Sequence, residues 1–361
     1  MNFDLSEEQR LLQDGVDRLL REELPAPRLR EAFDGDAAFD ATLWNRLCEQ
    51  GACGLHLPEA LGGAGLELLE LALVAERLGY AAAPVPFWGH ALAGLAIDLG
   101  GSEAQKRRWL PRLAAGDVLT SVAWAETDSR WQPEQWSLPP GPSLSGVKEF
   151  VPAGREADLL LVGLAGGELA LVETADGGVA AEPVEAIDRT RRLDRVRFEA
   201  ARADPLPAGA AVSSRVRDAG LVLLAADAFG GASRCLELAV DYAQTREQFG
   251  VTIAHFQAVK HQLANLAVEV EPARSLFWYA AHVFDRRPAE APASAALAKA
   301  HLCDVFVHAA RETVEVHGGF GYTWECDVQF WLKRAVFDRA VLGDPDLHRA
   351  RTAELLDWGS G

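Results

Sequence analysis

Between residues 116 and 198 the hydrophobic pattern of this 361-residue chain changes period, and that change limits the possible folds more than any other feature. On either side, apolar residues recur every three or four positions, as on one face of an α-helix. Inside the stretch, short apolar runs such as Asp158-Leu159-Leu160-Leu161-Val162 and Leu169-Ala170-Leu171-Val172 alternate with glycines and with Pro139, Pro140 and Pro142. Such runs read as strands separated by turns. No long helical pattern intervenes, so a compact β-barrel or sandwich fits better than alternating β-α units. The expected fold class is α+β multidomain: an N-terminal helical domain (1–115), a central small β-barrel (116–212) and a C-terminal four-helix bundle (213–361).

The helical parts carry their own punctuation. Ser6 followed by Gln9 is a capping box, and Leu11, Leu12, Val16, Leu19 and Leu20 then keep helical spacing until Pro25 and Pro27 stop the run. Further helices are expected over 41–50 and 66–79, with a pair over 88–115. Pro205 and Pro207 mark the exit from the strand-rich part. Residues 221–226 are apolar on nearly every side, as in the middle helix of a bundle. Gly230-Gly231 inside that helix costs stability and implies close packing of a neighbouring helix or of a ligand. Helical patterns resume over 256–284, 294–316 and 335–358, which gives a four-helix set.

Charge and cysteine usage exclude several functions. With 35 Lys and Arg against 53 Asp and Glu, the net charge of −18 disfavours nucleic acid and anionic membrane surfaces. Cys48, Cys53, Cys235, Cys303 and Cys326 are odd in number and lack a C-x-x-C pair. They are therefore expected to be reduced, buried small hydrophobes, neither a disulfide framework nor a zinc site, and no metal is expected. The acidic start, Met1 to Glu8, lacks the pattern of an export signal. No uncharged apolar run of membrane-spanning length is visible, and a cytoplasmic protein is expected.

Several segments, in order along the chain, resemble the acyl-CoA dehydrogenase family of flavoproteins. Leu57-Pro58-Glu59-Ala60-Leu61-Gly62-Gly63-Ala64-Gly65-Leu66 with Glu76-Arg77-Leu78-Gly79 is similar to its N-terminal P-E-x-x-G-G-x-G-L loop and the helix that follows. Ser145-Gly146-Val147-Lys148-Glu149-Phe150-Val151 with Ala157-Asp158 resembles a strand pair of its β-region. The strongest match is Thr245-Arg246-Glu247-Gln248-Phe249-Gly250, then His255-Phe256-Gln257, then His317-Gly318-Gly319-Phe320-Gly321-Tyr322-Thr323-Trp324-Glu325. The resemblance implies FAD as cofactor, an acyl-CoA substrate, and dimers or tetramers whose subunits share flavin sites. Arg246, Gln248, Phe249, Gly318 and Gly319 then fall at positions that reach a neighbouring subunit's flavin nucleotide, and Gln257 is a further cofactor-binding candidate. Arg suits a pyrophosphate as a permanently charged donor fork, and glycines let backbone approach a nucleotide. Glu325 and His317 read more simply as structural, and most of the ten tryptophans as core or interface anchors.

The chain also departs from the family pattern. The reaction needs a carboxylate base for the α-proton. The usual base position aligns with Leu342 in Val341-Leu342-Gly343-Asp344, and the alternative position with Gly220, so neither holds a carboxylate. The remaining candidates are Asp344, Glu247 and Glu325, with Asp344 first because a two-residue shift would bring it to the base position. In the flavin cradle, Ala125 replaces a hydroxyl residue, Phe150-Val151-Pro152 stands where W-I-T is usual, and Glu315 replaces a glutamine before the Gly-Gly pair. The neighbour-facing half is thus kept while the chain's own half is eroded. This pattern implies a short, base-lacking subunit that completes a flavin site on a homologous partner in an α2β2 assembly, as in bacterial heterotetramers acting on sterol side-chain thioesters. The alternatives are a self-sufficient homo-oligomer with a displaced base, a non-catalytic scaffold, and a flavin enzyme with a non-CoA substrate.

Overall fold

The computed structural model describes residues 4–357. Helices α1 (Glu7–Glu23), α2 (Ala26–Asp34), α3 (Ala41–Glu49), α4 (Leu68–Tyr80), α5 (Phe87–Gly100) and α6 (Glu103–Ala115) form the N-terminal part. The Ser6 capping box is present, with Gln9 N–H donating to Ser6 Oγ at 3.2 Å and Ser6 N–H donating to Gln9 Oε1 at 2.8 Å. Pro25 does end the first helical run, but α2 begins at once with Pro25 as its N-cap and Pro27 in its first turn. Sequence reading treated both prolines as stops. A proline that breaks one helix is also preorganised to start the next.

Strands β1 (Thr120–Ala123), β2 (Ser143–Pro152), β3 (Leu159–Gly163), β4 (Leu169–Glu173), β5 (Val179–Val184), β6 (Leu193–Arg202) and β7 (Asp204–Pro205) follow. They form two sheets, ordered β1-β3-β4-β7 and β2-β6-β5. β1 and β3 run parallel with Thr120 opposite Leu159, while the other pairs are antiparallel. A second, smaller core, including Leu160, Val162, Val172, Val196 and Phe198, lies in this region.

Helix α7 (Gly209–Thr245) leads into a short hairpin of β8 (Glu247–Gln248) and β9 (Val251–Thr252), then α8 (Gln257–Arg286), α9 (Ala291–Val316), α10 (Val328–Ala340) and α11 (Pro345–Leu355). α7 is the only described helix long and apolar enough to cross a membrane, and 89% of its apolar window is buried inside the protein. α4, α5, α8, α9 and α10 all pack on it. Its glycines permit this: a Cβ on Gly230 would lie 1.8 Å from Glu76 O, and one on Gly231 would lie 2.1 Å from the Phe306 ring. In return, α4 offers Gly79, where a Cβ would lie 2.0 Å from Asp227 O.

Two expectations are corrected. The single helix expected over 335–358 is two helices, α10 and α11, broken by Leu342 and Gly343 at φ +61° and +102° before the Asp344 N-cap; Trp358 lies outside the described residues, as do Met1, Asn2 and Phe3 of the acidic start. Cys48 and Cys53 are also joined in a disulfide. Gly51, at φ +84°, turns the chain back after α3 and brings the two Cα atoms to 5.0 Å. Cys235, Cys303 and Cys326 are free and buried, as expected.

Candidate functional site

The first site is an open groove at the far end of the bundle. α7 ends at Thr245 with Arg246 as its C-cap, and β8 and β9 turn back through Phe249 and Gly250, both at positive φ, a two-residue I′ hairpin. Phe249 is 93% exposed at its tip. α9 ends against this hairpin at His317-Gly318-Gly319. Together they line a groove of about 590 Å³ with Tyr242, Arg246, Gln248, His317, Gly319 and Phe320 among its walls. The His317 ring stacks on Tyr242 at 4.1 Å, and Phe320 lies parallel to Tyr242 at 6.4 Å.

The chemistry of the groove suits an anion with a planar ring. Arg246 is exposed and has no ion-pair partner among the described residues. Burial holds the His317 pKa below that of a free imidazole, opposed by its hydrogen bond to Thr313 O at 2.8 Å. The ring is therefore neutral at pH 7, with Nδ1 donating and Nε2 left to accept. A Cβ on Gly318 or Gly319 would meet nothing within 4 Å, so the backbone there is bare to an incoming group.

The second site, where the chain's own reaction centre is expected, is closed. Gly220 on α7 and Leu342 after α10 face each other. A Cβ on Gly220 would lie 3.0 Å from Leu342 Cδ1, 3.1 Å from Leu92 Cδ1 and 3.4 Å from the Trp88 ring. Trp88 Nε1 also donates to Gly220 O at 3.1 Å. Trp88, Trp124 and Trp136 continue as a file of rings 6.2 and 5.9 Å apart, and Trp131 stacks on Phe150 at 6.1 Å. Ala125 is buried there, and its carbonyl is taken by Glu149 N–H. The cavity between Trp88, Pro152, Ala153 and Arg191 holds about 30 Å³, the space of a single water.

The loop carrying Leu342 is clamped from three sides. Leu342 O accepts from Gln132 Nε2 at 2.7 Å and from His348 Nε2 at 3.0 Å. The fully buried Lys299 ammonium donates to Asp338 O, Arg339 O and Gly343 O, where the carbonyls at the end of α10 favour a cation. These partners are between 6 and 210 residues from the carbonyls they hold, and no local sequence signal announces them.

The predicted residues separate accordingly. Arg246, Gln248 and Gly319 meet in the groove; Gly318 adjoins it, while Phe249, Gln257 and Glu315 are exposed and are not among its lining residues. Asp344 is exposed and caps α11, accepting from Leu347 N–H at 2.9 Å. Glu247 lies in the exposed hairpin, and Glu325 in an exposed loop whose carbonyl accepts from Arg30. Sequence reasoning did not pick out Trp88, Leu92, Gln132, Tyr242 or Lys299.

Residues 6–117 match the family described as Acyl-CoA dehydrogenase, N-terminal domain, and residues 209–356 match Acyl-CoA dehydrogenase, C-terminal domain. The chain is also 34% identical to Acyl-CoA dehydrogenase IpdE2 of Mycobacterium tuberculosis over 94% of each protein. The chain belongs to the acyl-CoA dehydrogenase family. Among solved acyl-CoA dehydrogenase structures, the Tcur3481-Tcur3483 steroid ACAD G363A variant superposes with a TM-score of 0.90 at 31% identity, covering 98% of this chain and 99% of that one. The ChsE4-ChsE5 complex of Mycobacterium tuberculosis superposes at 0.90 with 26% identity and 99% of both chains.

Acyl-CoA dehydrogenases are FAD-dependent oxidoreductases, so FAD is the cofactor to be fitted. The groove fits it: an unpaired guanidinium, a bare Gly-Gly backbone and a neutral imidazole acceptor are what a dinucleotide needs. The closed centre does not. Its rings fill the space, Pro152 has no N–H to give, and Ala125 has no hydroxyl.

Proposed function

We propose that this chain is the base-lacking subunit of a heteromeric acyl-CoA dehydrogenase, and that its Arg246 groove completes a flavin site held mainly by a homologous partner chain. The observation that carries this reading is the contrast between the Gly220–Leu342 contact, sealed by Leu92 and Trp88, and the open groove. When bound, FAD accepts the hydride lost from the β-carbon of the acyl thioester. This chain's part is to hold the cofactor: Arg246 pairs with the pyrophosphate, Gln248 and the Gly318-Gly319 backbone offer neutral hydrogen bonds, and His317 accepts one. The partner supplies the carboxylate that removes the α-proton. The steroid ACAD variant and the ChsE4-ChsE5 complex support a bulky acyl-CoA as substrate and a heteromeric assembly, and the reading includes an α2β2 stoichiometry and a cytoplasmic location.

The test is flavin content together with native mass, for the chain alone and when co-expressed with an acyl-CoA dehydrogenase chain encoded beside it. A colourless chain that becomes part of a yellow mixed tetramer supports the proposal. A yellow homo-oligomer whose flavin is reduced by an acyl-CoA overturns it and makes Asp344 the first residue to replace.

A further inference from the structure

Neither the flavin groove nor the closed centre accounts for the Cys48–Cys53 disulfide. Cys48 lies in the last turn of α3 and Cys53 in the 3-10 turn Ala52–Gly54. The bridge closes a six-residue turn whose backbone bonds run from Gly51 N–H to Cys48 O at 2.8 Å and from Gly54 N–H to Gly51 O at 3.1 Å.

That turn seats an exposed loop. Residues 57–66 return over it, with Leu57 N–H and Ala64 N–H both donating to Gly54 O, at 3.1 and 3.0 Å, and Leu66 N–H donating to Leu55 O at 2.9 Å. The loop lies against the turn: a Cβ on Gly54 would lie 3.4 Å from Gly63 Cα. Beyond the seat, Glu59, Ala60, Gly62, Ala64, Gly65 and Leu66 are exposed, so the loop's order depends on the turn beneath it.

The two sulfurs differ in access. Cys48 is half-buried, whereas Cys53 is 2% exposed. A thiolate from solvent therefore reaches Cys48 first. In a cytoplasmic protein, the location proposed above, a disulfide is more often a redox-responsive element than a permanent staple.

We propose that Cys48 and Cys53 form a reversible dithiol–disulfide couple that controls the order of loop 57–66. In the reducing direction, the thiolate of an external dithiol attacks Cys48 Sγ, the Cys48–Cys53 bond breaks, and its electron pair leaves on Cys53, which takes up a proton. The second thiol of the donor then displaces Cys48 as the free thiol. The donor ends as a disulfide, and two electrons and two protons have passed to the protein. An external disulfide runs the sequence backwards.

Cys235, Cys303 and Cys326 provide an internal count. The protein, isolated without reductant, is denatured in an alkylating agent and weighed, before and after native incubation with dithiothreitol. Three alkylated cysteines before and five after are expected, with amide exchange over 51–66 at least tenfold faster in the reduced form. Cys48→Ser should show the fast exchange without dithiothreitol and no response to it. Should that variant fail to fold, the comparison of oxidised and reduced wild-type protein decides alone. Five alkylated cysteines before reduction, three after it, or exchange over 51–66 unaffected by reduction would each overturn the proposal.

Discussion

Leu342 and Arg246 divide the chemistry of this chain at the scale of single residues. Leu342 is fully buried, and its Cδ1 faces Gly220 at an apolar contact that Leu92 and the Trp88 ring also line. Leu342→Glu in this chain alone is therefore expected to cost on the order of 3–5 kcal/mol, the usual range for an uncompensated buried charge. A thermal melt should show the loss, and acyl-CoA should still fail to reduce any flavin in the isolated chain. Activity appearing with unchanged stability would show that the centre is open. Arg246 is the opposite case, exposed and unburdened, so Arg246→Ala should leave the melting temperature within a degree or two. It should lower FAD retained by the assembled complex roughly tenfold or more, as expected for losing a charged hydrogen bond of about 1.5–3 kcal/mol. Unchanged flavin absorbance per tetramer would remove Arg246 from the shared site. Both residue identities were readable in the sequence. Their opposite surroundings were not, because Leu92 and Trp88 lie some 250 residues from Leu342 in the chain.

At the scale of elements, the α4–α7 contact is the one most exposed to a small change. Gly230 touches Glu76 O so closely that any Cβ must push the helices apart, and backbone cannot step aside as a flexible side chain can. Gly230→Ala gains about 1 kcal/mol of helix propensity and loses more to overpacking, typically 1–3 kcal/mol and here at the upper end. A net loss in denaturant midpoint is expected; a more stable variant would mean that the two helices do not meet there. The close approach was legible from Gly230-Gly231 inside an apolar helical run. Its partner was not, since the sequence does not say which helix arrives. The break between α10 and α11 shows the same limit. Asp344-Pro345 signals a helix start, yet the 335–358 pattern looks continuous, and the break depends on Leu342 holding a left-handed backbone clamped by Gln132, Lys299 and His348.

At the scale of the whole molecule, buried polar groups tie the three parts together. Arg334 of α10 bonds Asp227 of α7 through two nitrogens at 2.8 and 2.6 Å, Ala83 O at 3.0 Å and Thr190 Oγ1 at 3.1 Å. Arg191 joins Asp227 to Asp338. Burial and the Asp227 charge push the Asp338 carboxyl well above the usual carboxylate range, opposed by Arg191 and Arg334. Burial also lowers the histidines, His90 to about 4 and His56 and His348 to about 3. Their folded pKa values lie below that of an unfolded imidazole, so the unfolded chain takes up protons that the folded one refuses. Their contribution is complete above pH 6.5 and is lost as pH falls through that value toward 3 to 4. His348 has Lys299, Arg351 and Arg217 near it, all disfavouring a further positive charge. His348→Gln should flatten the fall of melting temperature between pH 7 and 5 relative to wild type; parallel curves would mean that His348 titrates freely.

The sequence alone determined the alternation of helical, strand-rich and helical parts, because hydrophobic period is a local property. It also carried the family motifs and the missing carboxylates, which are matters of residue identity at fixed spacing. Tertiary structure decided what those residues face: that Gly220 and Leu342 close on each other, that Arg246, Gln248 and Gly319 share one open groove, and that Cys48 meets Cys53. Contacts between distant segments depend on how whole helices pack, and pairing across a turn depends on the backbone sign of one glycine. Neither leaves a periodic trace in the chain.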